Sequence, residues 1–220
     1  MARTRASFFE RHSERLDARI ATGLHKIGLA LKHQTRRQAS EHGLSPTQGE
    51  ILAALATDGP QTGSRLAARF GVTLPTISDS VRALVDKRLV TRTPDDRQPR
   101  ARRLRLTVAG HRLAASARGW PEFLAAAAGA LSESEQAALL GALVKLIRSL
   151  QEKGQIPVSR MCVTCTHFRP HVHPGPLAHH CAFVDAPMAA RHLRLECPEH
   201  EEATTVEQAR TWRSFAGSGR

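Results

Sequence analysis

The sequence predicts a mainly α-helical chain built around one short cationic hairpin, followed by a small loop-rich module carrying four cysteines. Three observations predict this. Leu16, Ile20, Leu24, Ile27 and Leu31 recur at spacings of 4, 4, 3 and 4, the signature of one face of a long helix. Ser45-Pro46-Thr47-Gln48 and Ser132-Glu133-Ser134-Glu135 are two capping boxes, each leading into an apolar stripe. Cys162, Cys165, Cys181 and Cys197 all fall within one 36-residue window rich in His and Pro. With 41% hydrophobic residues in 220, the chain has the material for a real core.

The first helix carries the Leu16 to Leu31 stripe and stops at Gly43. Ser45 as N-cap, Pro46 at the first helical position and Gln48 at N3 open the second helix. Its buried face is Ile51, Leu52 and Leu55, and Asp58-Gly59-Pro60 breaks it. A short helix over about residues 64–70 ends at Gly71, the residue best able to adopt left-handed geometry. Thr73-Leu74-Pro75 opens a fourth, with Ile77, Val81, Leu84 and Val85 along one side. Residues 89–93 read as a strand and 94–99 as a turn-rich loop. Arg103-Leu104-Arg105-Leu106 alternates with period two, a strand with one buried and one cationic face. Thr107 caps a helix expected to run to about Ala128. Leu139, Leu143, Leu146 and Leu150 mark a last long helix ending at Gly154.

Composition shifts near residues 154–158. The predicted organisation is a helical domain over 1–157, a four-cysteine module over 158–202, and a tail or short helix over 203–220. The longest apolar run, the Ala-rich stretch 123–131, is too short to span a bilayer. The N-terminal residues are interrupted by charge before a signal-peptide core can form. A cytoplasmic protein with no membrane partner is therefore expected.

The net charge is +12, of which residues 1–159 carry +11 and residues 160–220 carry +1. A basic excess confined to one region points to a polyanion. Tyr is absent and the 7 Phe and 2 Trp are scattered, which disfavours a single-strand reader built on stacked aromatics. Duplex DNA fits better. The order helix, helix, recognition helix, Arg-bearing hairpin describes a winged helix-turn-helix.

On the recognition helix, Ile77, Val81 and Leu84 face inward at about 100° per residue, so Thr76 and Asp79 point outward with Pro75 and Arg82 on the flanks. Thr76 and Asp79 suit base edges, Asp79 accepting from a cytosine amino group, and Arg82 suits a phosphate or guanine. Thr73 and Ser80 complete the helix's expected contacts. Arg88, Arg92, Arg97, Arg100, Arg102, Arg103 and Arg105 lie within 18 residues. Arg97, Arg100, Arg102 and Arg103 are the wing residues assigned to DNA, through phosphates or a narrow minor groove.

The run Leu66-Ala-Ala-Arg-Phe-Gly-Val-Thr-Leu-Pro-Thr-Ile-Ser-Asp-Ser-Val-Arg-Ala-Leu-Val-Asp-Lys-Arg-Leu-Val90, with Asp95-Asp96-Arg97 and Leu106-Thr107-Val108-Ala109-Gly110, resembles the MarR family of bacterial regulators over roughly residues 8–153. The resemblance implies a nucleoid-associated homodimer paired through its first and last helices, a pseudo-palindromic operator, and a small aromatic effector in many members. The Leu16 to Leu31 and Leu139 to Leu150 stripes suit that pairing; from the residues alone, each also suits an intramolecular core. Two departures stand out. Arg88 occupies a position that is usually Gly in the family, implying strain of order 1 kcal/mol if its backbone is left-handed. The wing is also about two residues longer around Gln98-Pro99.

Cys162-Val-Thr-Cys165 is a C-x2-C knuckle, and Cys181 and Cys197 each follow after 15 residues. In a reducing cytosol such a set points to metal ligation rather than disulfides. It suits an iron–sulfur cluster, most simply 4Fe-4S, or a structural zinc; incidental thiols are the remaining reading. No second C-x2-C knuckle of the zinc-ribbon kind is present. The cysteines with Phe168, Phe183, Glu196 and Pro198 are similar to the cluster-binding pattern of high-potential iron–sulfur proteins. Among the seven histidines of the segment, His180 is the first candidate to replace a thiolate. No nucleophile–base motif, phosphate loop or usefully spaced carboxylate pair is visible, so no enzyme is expected.

Overall fold

The computed structural model describes residues 12–94, 102–118 and 122–217. The chain opens with α1 (Leu16–Glu41), α2 (Pro46–Asp58) and a two-residue strand β1 (Gln61–Thr62). Next come α3 (Gly63–Phe70), α4 (Leu74–Asp86), and the hairpin of β2 (Val90–Pro94) and β3 (Arg102–Leu106). Three more helices follow, α5 (Val108–Arg118), α6 (Glu122–Gly129) and α7 (Glu133–Glu152). The remainder is β4 (Phe168–Arg169), β5 (His179–Cys181), β6 (Ala186–Met188) and α8 (Thr205–Gly217), with short 3-10 turns at Cys162–Thr164 and Ala190–His192.

The predicted starts are realised atom by atom. Ser45 Oγ accepts from the Gln48 amide while the Ser45 amide donates to the Gln48 side chain, and Ser132 and Glu135 repeat the arrangement. Thr62 and Thr73 cap α3 and α4 by accepting from Arg65 and Thr76 amides. The stops share one geometry. At the ends of α1, α3, α4 and α7, the amides of Leu44, Val72, Leu89 and Gln155 reach back to the carbonyls of Ala39, Ala67, Leu84 and Leu150 at 2.8–3.1 Å. The preceding residue is left-handed in each case: Gly43, Gly71, Arg88 and Gly154, with φ of 63°, 64°, 57° and 66°. Arg88 thus does in this turn what glycine does in the other three, against its own Cβ.

Two features differ from the sequence reading, one of which it did not address. The helix expected from Thr107 to about Ala128 is two helices, α5 and α6; the intervening residues 119–121 lie outside the described residues. The second difference is β1, which pairs antiparallel with β3 (Gln61 opposite Leu104, Thr62 opposite Arg103) and makes the wing a three-stranded sheet in the order β1-β3-β2. Two residues are too few to show any alternation.

The first core packs Ile51, Leu52 and Leu55 of α2 with Leu66 of α3, Ile77, Val81 and Leu84 of α4, and Val90 and Leu104 of the hairpin. The root of the wing is locked to the recognition helix. The Thr107 hydroxyl donates to Arg88 O at 2.8 Å and accepts from the Gly110 amide at 3.0 Å, and a Cβ on Gly110 would collide with the Leu89 carbonyl. At the other end of the chain, Met161, Val163, Phe168, Met188 and Leu193 form a second core with Val144 of α7 and Phe215 of α8. The cysteine segment therefore builds its interior on helices from both sides of it, and residues 205–217 are helical.

Asp58 joins the two cores. Its carboxylate holds Arg69 of α3 through one oxygen and Arg160 through the other, the latter at 2.9 Å. Burial pushes the Asp58 carboxyl up, but the Arg160 hydrogen bond and the charges of Arg69 and Arg160 outweigh it and hold the group below its ordinary value.

Two outcomes follow from these features. Arg88→Gly removes a left-handed penalty of about 1–2 kcal/mol against about 0.5–1 kcal/mol of extra unfolded-state entropy, so it raises stability by about 0.5–1 kcal/mol in chemical denaturation. Because the folded pKa of Asp58 lies below the unfolded value of about 3.9, its stabilisation is present above that pH and is lost as pH falls through the folded value. Asp58→Asn abolishes that acid-dependent part and costs about 2 kcal/mol at pH 7, read from denaturant midpoints at pH 7 and pH 3.

Candidate nucleic-acid interface and cysteine cavity

Burying Ile77, Val81 and Leu84 fixes the rotation of α4 and turns Thr73, Pro75, Thr76, Asp79 and Arg82 to solvent, as expected from the sequence. Ser80 is half-buried, as is Ser78. The Thr73 and Thr76 hydroxyls lie 2.8 Å apart, and Asp79 pairs with Arg82 at 3.3 Å. Both partners of that pair are well exposed, so it is worth no more than about 1 kcal/mol and opens readily to other partners. Lys87 pins the far end of the helix, donating to Gly43 O and to Gln48 Oε1, the latter at 3.0 Å.

In the wing, Thr91 faces Arg105, Arg92 faces Leu104, and Thr93 faces Arg103 across the hairpin. Arg92, Arg102 and Arg105 are exposed. Arg103 is half-buried, and its guanidinium donates to Pro60 O at 2.9 Å, bracing the wing against the turn that ends α2. Arg97 and Arg100 lie outside the described residues.

The outer faces of α1 and α7 stay uncovered within the single chain. Leu16, Ile20, Leu24, Ile27 and Leu31 are 36–69% exposed, and Leu139, Leu146 and Leu150 are also exposed. Apolar stripes of this extent on a helix mark interaction surfaces.

Cys162, Cys165, Cys181 and Cys197 border one cavity of about 280 Å³, together with Phe168, Phe183, Met188, His167, His192 and Arg194. Cys162 and Cys165 come from one 3-10 turn, in which the Cys165 amide donates to Cys162 O at 3.0 Å. Cys181 is placed by β5, opposite Phe168 of β4 and Ala186 of β6. Cys197 is held by its amide, which donates to Arg160 O at 3.0 Å. Donors already point at two sulfurs: the Arg194 amide to Cys162 Sγ at 3.3 Å, and the Arg194 guanidinium to Cys197 Sγ at 3.7 Å. Burial pushes the Cys162 thiol up, against the Arg194 amide, and the three other cysteines add to the rise. Among the described residues, no three His, Cys, Asp or Glu side chains are arranged to hold a metal ion.

The histidines sort differently from the sequence expectation. His180 is engaged through both ring nitrogens, with His173 at 3.2 Å and Asp185 at 3.2 Å, and does not border the cavity. His167 and His192 do border it, though the His192 Nδ1 accepts from the Ala189 amide at 3.1 Å. Adjacency to Cys181 on a strand sends the neighbouring side chain to the opposite face, so proximity in sequence was the wrong signal.

Residues 42–101 match the model of the MarR family. Among solved structures, a MepR–DNA complex from Staphylococcus aureus is 25% identical, with a TM-score of 0.53 over 59% of this chain and 97% of that one. A putative MarR family regulator from Listeria monocytogenes complexed with a 26mer DNA is 19% identical, with a TM-score of 0.54 over 60% and 89%. A MarR family protein from Bacillus stearothermophilus is 24% identical, with a TM-score of 0.54 over 63% and 98%. No curated protein matches. Residues 42–101 are thus similar to the MarR family, and the winged-helix part of this chain shares the fold of the MepR structure. No described helix is long and apolar enough to cross a membrane.

The placement of the wing arginines separates two roles. Arg103→Ala loses the Pro60 contact and lowers folding stability by about 1 kcal/mol, whereas Arg102→Ala leaves the thermal midpoint unchanged; parallel melting curves check both.

Proposed function

We propose that this chain, whose winged-helix segment is similar to the MarR family, is a homodimeric transcriptional regulator that binds duplex DNA and carries an iron–sulfur cluster on its four cysteines. The observation that carries the DNA reading is the outward polar face of α4 beside exposed Arg102 and Arg105 of the wing. A short-side-chain helix can enter the major groove while the arginines meet phosphate or the minor groove. The similar MepR of S. aureus is seen in complex with DNA, which supports the same reading. The apolar stripes on α1 and α7 support pairing, and a two-fold pair asks for a pseudo-palindromic site.

For the module, the donor set is chemically apt: four thiols without a competing disulfide. A single zinc, at about 2.3 Å from each sulfur, would draw the four to within about 4 Å of one another. The four thiols border one cavity of about 280 Å³, and the lack of a second C-x2-C knuckle in the sequence favours a cluster over a zinc ribbon. When bound, a cluster supplies a one-electron couple whose potential depends on hydrogen bonds to its sulfurs and on access of water. The chain contributes the rest. Cys162, Cys165, Cys181 and Cys197 would hold the group, the Arg194 amide and guanidinium donate toward two of them, and Phe168, Phe183 and Met188 line the space.

The test uses full-length protein purified without oxygen. Duplex DNA binding measured against salt should weaken steeply, and Arg102→Ala and Arg105→Ala should each reduce the slope of log K against log salt by about 1. The same protein should show broad visible absorption that vanishes in Cys162→Ala. A colourless protein with one bound zinc per chain overturns the cluster, and DNA binding indifferent to both arginines overturns the interface.

A further inference from the structure

We infer that Arg160 is a positioning residue that couples the four-cysteine module to the helix-turn-helix of its own protomer. The inference rests on the proposed DNA-binding reading but holds whichever group the cysteines bind. Arg160 lies two residues before Cys162, and its carbonyl accepts the Cys197 amide at 3.0 Å. Its Nε donates to Glu196, the neighbour of Cys197, at 3.1 Å. Its Nη2 donates to Asp58 at the end of α2, 102 residues away in sequence, at 2.9 Å. The other oxygen of Asp58 takes Arg69, on the helix that precedes the recognition helix. One guanidinium therefore touches the flank of a cysteine and the frame that seats α3.

A second contact lies alongside it. At Gly71, the left-handed residue in the turn between α3 and α4, an added Cβ would sit 2.9 Å from Pro157 Cγ. Pro157 is held in turn, because the Gln151 side chain of α7 donates to Pro157 O and to Ser159 Oγ, both at 3.1 Å. The segment 157–160 is thus a strap bearing on the helix-turn-helix at two points. It is shielded enough to matter: the side chain of Asp58 is 11% exposed and that of Arg160 is 29% exposed, against 50% and 80% in the peripheral pair of Arg191 and Glu133.

While the module is folded, Glu196 and the Cys197 amide hold Arg160 in place and Asp58 is shared between two arginines. When the module loosens, Arg160 is released, Asp58 keeps Arg69 and the Gln61 amide, and α3 with its turn reseats under α4. Coupling of this kind is reciprocal, so DNA on α4 favours the intact module.

The experiment compares four full-length proteins: unaltered, Cys162→Ala with Cys197→Ala, Arg160→Gln, and all three substitutions together. The probe is a fluorescent duplex selected by the unaltered protein from a random-sequence pool. Two readouts are taken, the Kd for that duplex and hydrogen exchange of the α3 amides. Removing the cysteines should change Kd at least about fivefold and raise α3 exchange when Arg160 is present. With Gln at 160, both changes should shrink to less than about twofold. Asp58→Asn, which changes no residue of the module, should uncouple in the same way while metal content is kept. Equal cysteine effects with and without Arg160, or no cysteine effect at all, overturn the inference. Failure to select any duplex defeats the DNA reading instead, and the exchange readout still decides the coupling.

Discussion

Burial of one side of α4 is the constraint on which the rest depends. Ile77, Val81 and Leu84 sit against α2, α3 and the hairpin, and no rotation of the helix keeps them there while hiding Thr76 and Asp79. The polar face is outward because the apolar face has nowhere else to go. The same packing sets the position of the wing, since Leu89 and Val90 leave α4 through a turn whose amides are bonded back to Leu84 and Val85. Reading surface and wing are thereby held as one rigid unit, with Thr107 and Gly110 closing it from below.

The cysteine segment shows the complementary case, a region too small to be its own core. Its apolar residues are few, and the structure completes them with Val144 from α7 and Phe215 from α8. This explains why a segment with a net charge of only +1 and many loop residues has a defined shape. It also means the cavity wall is continuous with one of the helices bearing an uncovered apolar stripe.

Much of this was legible in the sequence because the signals were local. Caps, left-handed stops and helical stripes act over three to seven residues, and Ser45, Ser132, Gly71 and Gly154 fell where their chemistry predicts. Arg88 was readable too, though only as a departure from a resemblance. What escaped were features decided by partners distant in sequence. Arg103 and Arg105 share a strand face, yet only Arg103 is drawn inward, because the neighbouring β1 brings the Pro60 carbonyl to it. No periodicity announces that Arg160 will meet Asp58. Of the cavity, the four cysteines were identified, but the histidines that border it depend on which way each strand residue faces.

One feature of α1 carries further than its place in the fold. It is a helix of 26 residues in which Ala39 alone is buried, with a row of leucines and isoleucines facing water. Isolated helices gain little from propensity; tertiary cover supplies most of their stability. On the pairing proposed above, folding of that rod and meeting a second copy are one event, so melting temperature becomes a function of protein concentration and dilution itself acts as a denaturant.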